Sequence, residues 1–292
     1  MKQRKIYRLG EIKEKLEKNE LPFSGITELG SAEFHFNKPA FYAGVALHSR
    51  NKIRPEIIKK LAVSKKERFC DEDPYTELFI KKFPIQIIAR DSRFEYDLNR
   101  DRENCIYKEY KRKWHLQVWD KTLSKKEKEI SCLKFDEFFE LTDMVCEYLL
   151  RQNKFVVLFD MHSFCFQRSE QTEWFNNPKP EINIGTKASN RTLFLPLIQK
   201  FQKSLSKTQI DNKKIRVEEN KIFNGGYLSR RIGQKYYNNV LTFALEYKKL
   251  FMNEITGQLY PEILELLISD FNSAVNYLFA GNTFTTYFKI FE

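Results

Sequence analysis

The chain has 292 residues, a length that suits one large domain or two small ones. Its 42% hydrophobic and 15% aromatic content excludes wholesale disorder, and only 10 glycines and 9 prolines exclude a collagen-like or low-complexity chain. With 50 lysines and arginines against 39 acids, the net charge of +11 suits an anionic partner without naming its kind.

No apolar run approaches the ~18 residues of a membrane helix, so no membrane span is expected. The basic start Met1-Lys-Gln-Arg-Lys-Ile is followed by no apolar segment of a leader, so the expected location is cytoplasmic. Five cysteines, at 70, 105, 132, 146 and 165, are odd in number and form no CxxC pair, which reads as reduced thiols.

Residues 1–33 are charged and helix-prone and read as an N-terminal addition. A first buried strand, Ala40–Leu47, runs into His48, and a second, Ile85–Ala89, leads into Arg90–Arg100. The basic stretch Tyr107–Lys128 reads as an insertion or hairpin, with Trp114 and Trp119 packing on the core. Phe135, Phe138, Phe139, Val145, Tyr148 and Leu149 recur at helical spacing, with Ser131 as the expected N-cap. A third strand, Phe155–Phe159, precedes Asp160-Met-His162-Ser163. A helix over Arg191–Ser206 follows, then a glycine loop, Phe223–Gly233. A fourth strand, Val240–Leu245, ends before Glu246, and Tyr260–Phe279 is helical. Strands alternating with helices, with no linker between, predict one three-layer α/β domain over 1–292.

His48, His162 and Glu246 each follow a predicted buried strand, and ligands of open α/β sheets bind at such carboxyl ends. Imidazole and carboxylate are the usual ligands of a catalytic zinc ion. His35 and His115 lie in less structured contexts and are not expected to ligate. The acids Asp71, Glu72 and Asp73 repel one another unless a cation is near, which offers a third ligand. In Ser92–Arg100, the arginines can grip a carboxylate with paired hydrogen bonds and Asn99 adds a neutral donor; the competing reading is a turn in which Glu95 or Asp97 neutralises them. Gly225 and Gly226, followed by basic residues, form a candidate anion-binding loop or a simple turn.

In this order the segments resemble the N-formylglutamate amidohydrolase family, relatives of the zinc carboxypeptidases. The resemblance rests on Leu47-His48-Ser49, Glu72-Asp73-Pro74-Tyr75, Ser92-Arg93-Phe94, Asp97-Leu98-Asn99-Arg100, Asp160-Met161-His162-Ser163, Asn224-Gly225-Gly226-Tyr227 with Arg230, and Leu245-Glu246-Tyr247. It implies a zinc-exopeptidase (phosphorylase/hydrolase-like) architecture, an α/β/α sandwich on a mixed central sheet. It also implies one ion, normally Zn²⁺, on His48, His162 and an acid, Asp73 or Glu72. Glu246 is then the general base, Arg93 polarises the scissile carbonyl, Asn99 and Arg100 bind the substrate carboxylate, and Arg230 with Gly225 and Gly226 closes on the other end. Asp160 would orient an imidazole. The position three after His48 is Asn51, so the acid does not come from an HxxE motif.

The implied activity is zinc-dependent hydrolysis of a C–N bond in a small anionic N-acyl amino acid such as N-formylglutamate, by attack of a zinc-bound water. The alternatives are a zinc carboxypeptidase-like peptidase or amidase on a peptide or cell-wall fragment, and a basic nucleic-acid-binding protein without catalysis. Nucleic acid is the less expected partner, because the basic residues are spread along the chain and no nucleic-acid module is present.

Overall fold

The computed structural model describes residues 4–108, 112–113, 116–166 and 176–280. The chain divides into two compact units, Met1–Arg151 and Gln152–Glu292. Both are mixed α/β.

The first unit opens with β1 (Ile6–Tyr7), α1 (Leu9–Glu17), β2 (Phe23–Thr27) and β3 (Ala32–Phe36). There follow β4 (Tyr42–Ala46), α2 (Pro55–Ile58), α3 (Lys65–Asp71), α4 (Thr76–Phe79) and β5 (Ile85–Ala89). The short strands β6 (Arg112–Lys113) and β7 (Leu116–Gln117) pair antiparallel, ahead of the long helix α5 (Lys125–Gln152). The strands run β1-β2-β3-β5-β4, with β1–β2 and β4–β5 parallel and the other pairs antiparallel. Of the stretch 1–33, the described strands β1 and β2 therefore continue this sheet, through the antiparallel pairing of β2 with β3.

Alternation decides what each strand buries. Phe34 and Phe36 of β3 share one face and stack 4.8 Å apart, with Phe23 edge-on to both. Glu33 and His35 take the opposite face, where His35 Nε2 lies 2.9 Å from Glu33 Oε1, a local role in keeping with its exclusion as a ligand. A second apolar cluster gathers Ile53, Ile57, Val63, Phe94, Tyr107, Val118, Trp119 and Leu123. Trp119 packs there and donates from Nε1 to the Tyr107 carbonyl at 2.9 Å; Trp114 and His115 lie outside the described residues.

The second unit contains β8 (Val156–Phe164), β9 (Ile182–Gly185), α6 (Arg191–Leu205), β10 (Gln209–Ile210) and β11 (Lys213–Lys214). It ends with β12 (Val217–Glu219), α7 (Tyr227–Tyr236), β13 (Val240–Lys248) and α8 (Pro261–Phe279). Its strands run β8-β13-β9-β12: β8–β13 and β9–β12 are parallel, β13–β9 antiparallel. Phe159 and Phe243 stack 5.5 Å apart on one face, where Phe201 of α6 and Phe271 of α8 close over Phe159. By alternation the other face carries Asp160, His162, Ala244 and Glu246.

Two expectations need correcting. β8 and β13 do not stop where their apolar runs stop: Asp160, His162 and Glu246 are members of the ladder, because the two strands keep pairing as far as Phe164 and Lys248. Ser131 is not an N-cap; it is buried within α5 and accepts a 2.8 Å hydrogen bond from Arg54 Nη2. The helix starts one turn and more earlier, at a capping box in which Ser124 N donates to Glu127 and Glu127 N to Ser124 Oγ. Among the described residues the five cysteines form no disulfide.

Candidate active site

In the first unit, β4 delivers His48 two residues beyond its end, and α3 delivers Glu72 and Asp73 just past its own. The Asp73 amide donates to the His48 carbonyl at 2.9 Å, which ties the two loops together. His48 and Asp73 are both buried, with Nδ1 3.4 Å from Asp73 Oδ2. Two ligands of a tetrahedral zinc ion, each roughly 2.0–2.2 Å from it, stand about 3.4 Å apart, so this pair has the spacing of two ligands of one ion. Glu72 is engaged differently: its carboxylate accepts a short hydrogen bond from the Ser92 hydroxyl.

The other ring nitrogen of His48, Nε2, lies 2.9 Å from Oδ1 of Asp97. Asp97 is fully buried and is the hub of this unit's polar cluster. Its Oδ2 accepts from Arg93 Nη2 at 3.1 Å and from the Tyr107 hydroxyl at 2.6 Å, and its Oδ1 from the Asn99 amide at 2.9 Å. Burial opposes charge on Arg93, but the nearby carboxylates, Asp97 foremost, more than offset it and hold the guanidinium protonated beyond its usual range. Burial likewise pushes the Tyr107 hydroxyl well up, so it serves as a neutral donor. Arg100 is more exposed, 3.7 Å from Asp97 and over the Tyr107 ring at 4.9 Å. The neutralised-turn reading thus holds for Arg93, with Asp97 as its partner. Glu95 pairs instead with Arg54, at 2.6 Å.

In the second unit, His162 on β8 and Glu246 on β13 are register partners in parallel strands. His162 is buried and Glu246 half-buried. Asp160, two residues before His162 on the same face, places Oδ1 2.9 Å from His162 Nε2 and is wholly buried. β9 sets Asn183 opposite Glu246 on its other flank. Through Oδ1, Asn183 accepts from the Lys221, Ile222 and Phe223 amides, and its Nδ2 donates to the Phe223 carbonyl. That staple leads the chain into Gly225, whose φ of +116° disfavours any side chain. Gly185 lies so close to Gly225 that a Cβ there would fall 2.6 Å from the Gly225 nitrogen. Gly226 caps α7, and the exposed Arg230 reaches back from α7 to the Gly225 carbonyl at 3.4 Å.

Each unit therefore groups the residues singled out in it: His48, Asp73, Arg93, Asn99 and Arg100 in the first, Asp160, His162, Glu246 and the glycine loop in the second. Asp97, Tyr107 and Asn183 were not foreseen as functional. The signal for Asp97 was its place between Arg93 and Arg100; nothing local marks the other two. Chemically, an imidazole and a carboxylate at ligand spacing can hold a cation, and a half-buried carboxylate beside an imidazole can move protons.

The structure thus gives a mixed α/β fold with a buried histidine–carboxylate pair in each unit. Comparison with known proteins identifies its family. The family model for N-formylglutamate amidohydrolase matches residues 45–252, more than half of the chain. This chain belongs to the N-formylglutamate amidohydrolase family, whose chemistry is hydrolysis of C–N bonds. The fold agrees. A crystal structure of N-formylglutamate amidohydrolase from Ralstonia eutropha JMP134 superposes with a TM-score of 0.66 at 15% identity, covering 85% of this chain and 98% of that one. A gene product of Agrobacterium tumefaciens gives a TM-score of 0.55 at 16% identity, covering 90% and 98%. No curated protein sequence matches significantly. Among the described residues no helix is long and apolar enough to cross a membrane.

Proposed function

We propose that this protein is a zinc-dependent amidohydrolase that cleaves the amide or formamide bond of a small N-acyl amino acid such as N-formylglutamate. We read its architecture as that of the zinc exopeptidases. The observation that carries the activity is the family match, whose residues 45–252 contain every side chain assigned a role below.

We assign His48, Asp73 and His162, each buried in its own unit, as the ligands of one metal ion, the set that the family resemblance implies. His48 would use Nδ1, the nitrogen at ligand spacing from Asp73, leaving Nε2 to Asp97. Asp160 stands in the same relation to His162 Nε2, and a carboxylate behind each imidazole fixes ring orientation and tautomer. A bound zinc ion would polarise the scissile carbonyl and acidify a water near neutral pH.

The chain's own groups do the rest. Glu246 takes a proton from the attacking water and returns it to the leaving amine. Arg93, kept charged by Asp97, offsets negative charge growing on the carbonyl oxygen; loss of such a donor typically costs roughly 10²–10³ in rate. Arg100 and Asn99 hold the substrate carboxylate, and the Gly225–Gly226 loop with Arg230 lies at its other end.

The test is formate release from N-formylglutamate, alongside N-acetyl and N-succinyl amino acids, by zinc-loaded and chelator-treated protein. Turnover that needs the metal supports the reading. No hydrolysis of any of these substrates by the zinc-loaded protein contradicts it.

A further inference from the structure

The first turn of α7 carries polar groups that the fold does not use. Ser229, the third residue of the helix, is 1% exposed, and its hydroxyl has no hydrogen-bond partner. Serine at this position could bond back to the cap residue's amide, as capping boxes do. Here it makes no such bond, and among the described residues nothing accepts from the amides of Gly226, Leu228 or Ser229 either. Buried polar groups without partners are rare and costly, commonly about 1–3 kcal/mol each.

These groups lie together at the start of α7. The Ser229 hydroxyl lies beside the turn that starts the helix, 3.3 Å from where a side chain on Gly225 would begin. A Cβ on Gly225 would also lie 4.0 Å from the Ala244 methyl, so the turn sits on the face of β13 that carries Ala244 and Glu246. Two residues along a strand span roughly 6.5–7 Å. Arg230 adds a cation beside the same turn. Amides and a hydroxyl at a helix start, with positive charge nearby, are the chemistry of anion binding.

We propose that the first turn of α7, with Gly226, Leu228 and Ser229 as donors, binds a carboxylate of the substrate, a few bonds from the amide that is cleaved. Ser229 is the specificity-determining residue of this subsite. The substrate role rests on the hydrolase reading above; the anion site does not.

The experiment uses glutarate, a dicarboxylate with no scissile bond, titrated calorimetrically into the full-length protein and its Ser229→Ala variant. Melting temperatures without ligand are measured in parallel. The expected result is glutarate binding weakened about 10- to 100-fold, the loss of one hydrogen bond to a charged group, with the melting temperature unchanged or raised. Ser229→Thr, which keeps the hydroxyl, restores binding. Equal glutarate affinity in parent and Ser229→Ala, or no binding by the parent, overturns the site. Glutarate binding that depends on Ser229 in a protein that hydrolyses no N-acyl amino acid keeps the anion site and removes the hydrolase. Hydrolysis with glutarate binding indifferent to Ser229 does the reverse.

Discussion

Glu246 stands directly across the parallel ladder from His162, side chains on the same face of neighbouring strands. Asn183 flanks Glu246 on the other side, so backbone pairing on both edges fixes where this carboxylate begins. A general base needs that constraint, since proton transfer works only over hydrogen-bond distances.

Glu246→Gln preserves size and ladder pairing but cannot accept a proton. Its kcat should fall by roughly 10²–10⁴ with zinc content per chain unchanged. Steady-state kinetics with elemental analysis measure both; a kcat equal to the parent's removes Glu246 from the mechanism.

Asp97→Asn tests the hub. The change leaves Arg93 buried without its anion, a loss of the kind that costs about 3–5 kcal/mol, so denaturant midpoints should drop clearly. It also alters the group behind His48 Nε2, and zinc affinity should weaken about 10- to 100-fold. Unchanged stability and unchanged zinc affinity would show that Asp97 supports neither.

Glu181 gives a pH prediction away from the site. Its carboxylate accepts from Arg216 and from the buried Lys248, both at 2.6 Å. Burial pulls its pKa up, but the hydrogen bonds from Arg216 and Lys248 outweigh this and hold it below its ordinary value of 4.5. A carboxyl depressed on folding binds fewer protons folded than unfolded. Its stabilisation is therefore complete above about pH 4.5 and fades as pH falls through the folded value. Glu181→Gln should lower stability at pH 7 and flatten the acid limb of the stability–pH curve. Urea unfolding from pH 7 to pH 3 reads this; parallel curves for the two proteins would refute it.

Much of the fold was legible because burial writes itself into composition. Ile85–Ala89 is apolar but for Gln86 and is a strand with those ends, and the helix over Arg191–Ser206 falls within one residue of α6. Strand ends at the site were not legible. Asp160 and His162 break the apolar run, yet β13 continues alongside and keeps them extended. The start of α5 is written in the sequence as Ser124-Lys-Lys-Glu127, but its first turns are charged and solvent-facing, so the apolar periodicity begins only after Ser131. Asp97 shows the limit of local reading. Its arginine neighbours suggest an ion pair, while its contact with His48, 49 positions earlier, depends on two loops meeting in space.

The central claim is one metal ion on His48, Asp73 and His162. Diffraction data collected on both sides of the zinc absorption edge, from crystals of the zinc-loaded protein, test it directly. The expected result is a single strong anomalous peak per chain, within bonding distance of His48 Nδ1, an Asp73 carboxylate oxygen and a His162 ring nitrogen. A peak elsewhere, or none touching both histidines, would contradict it.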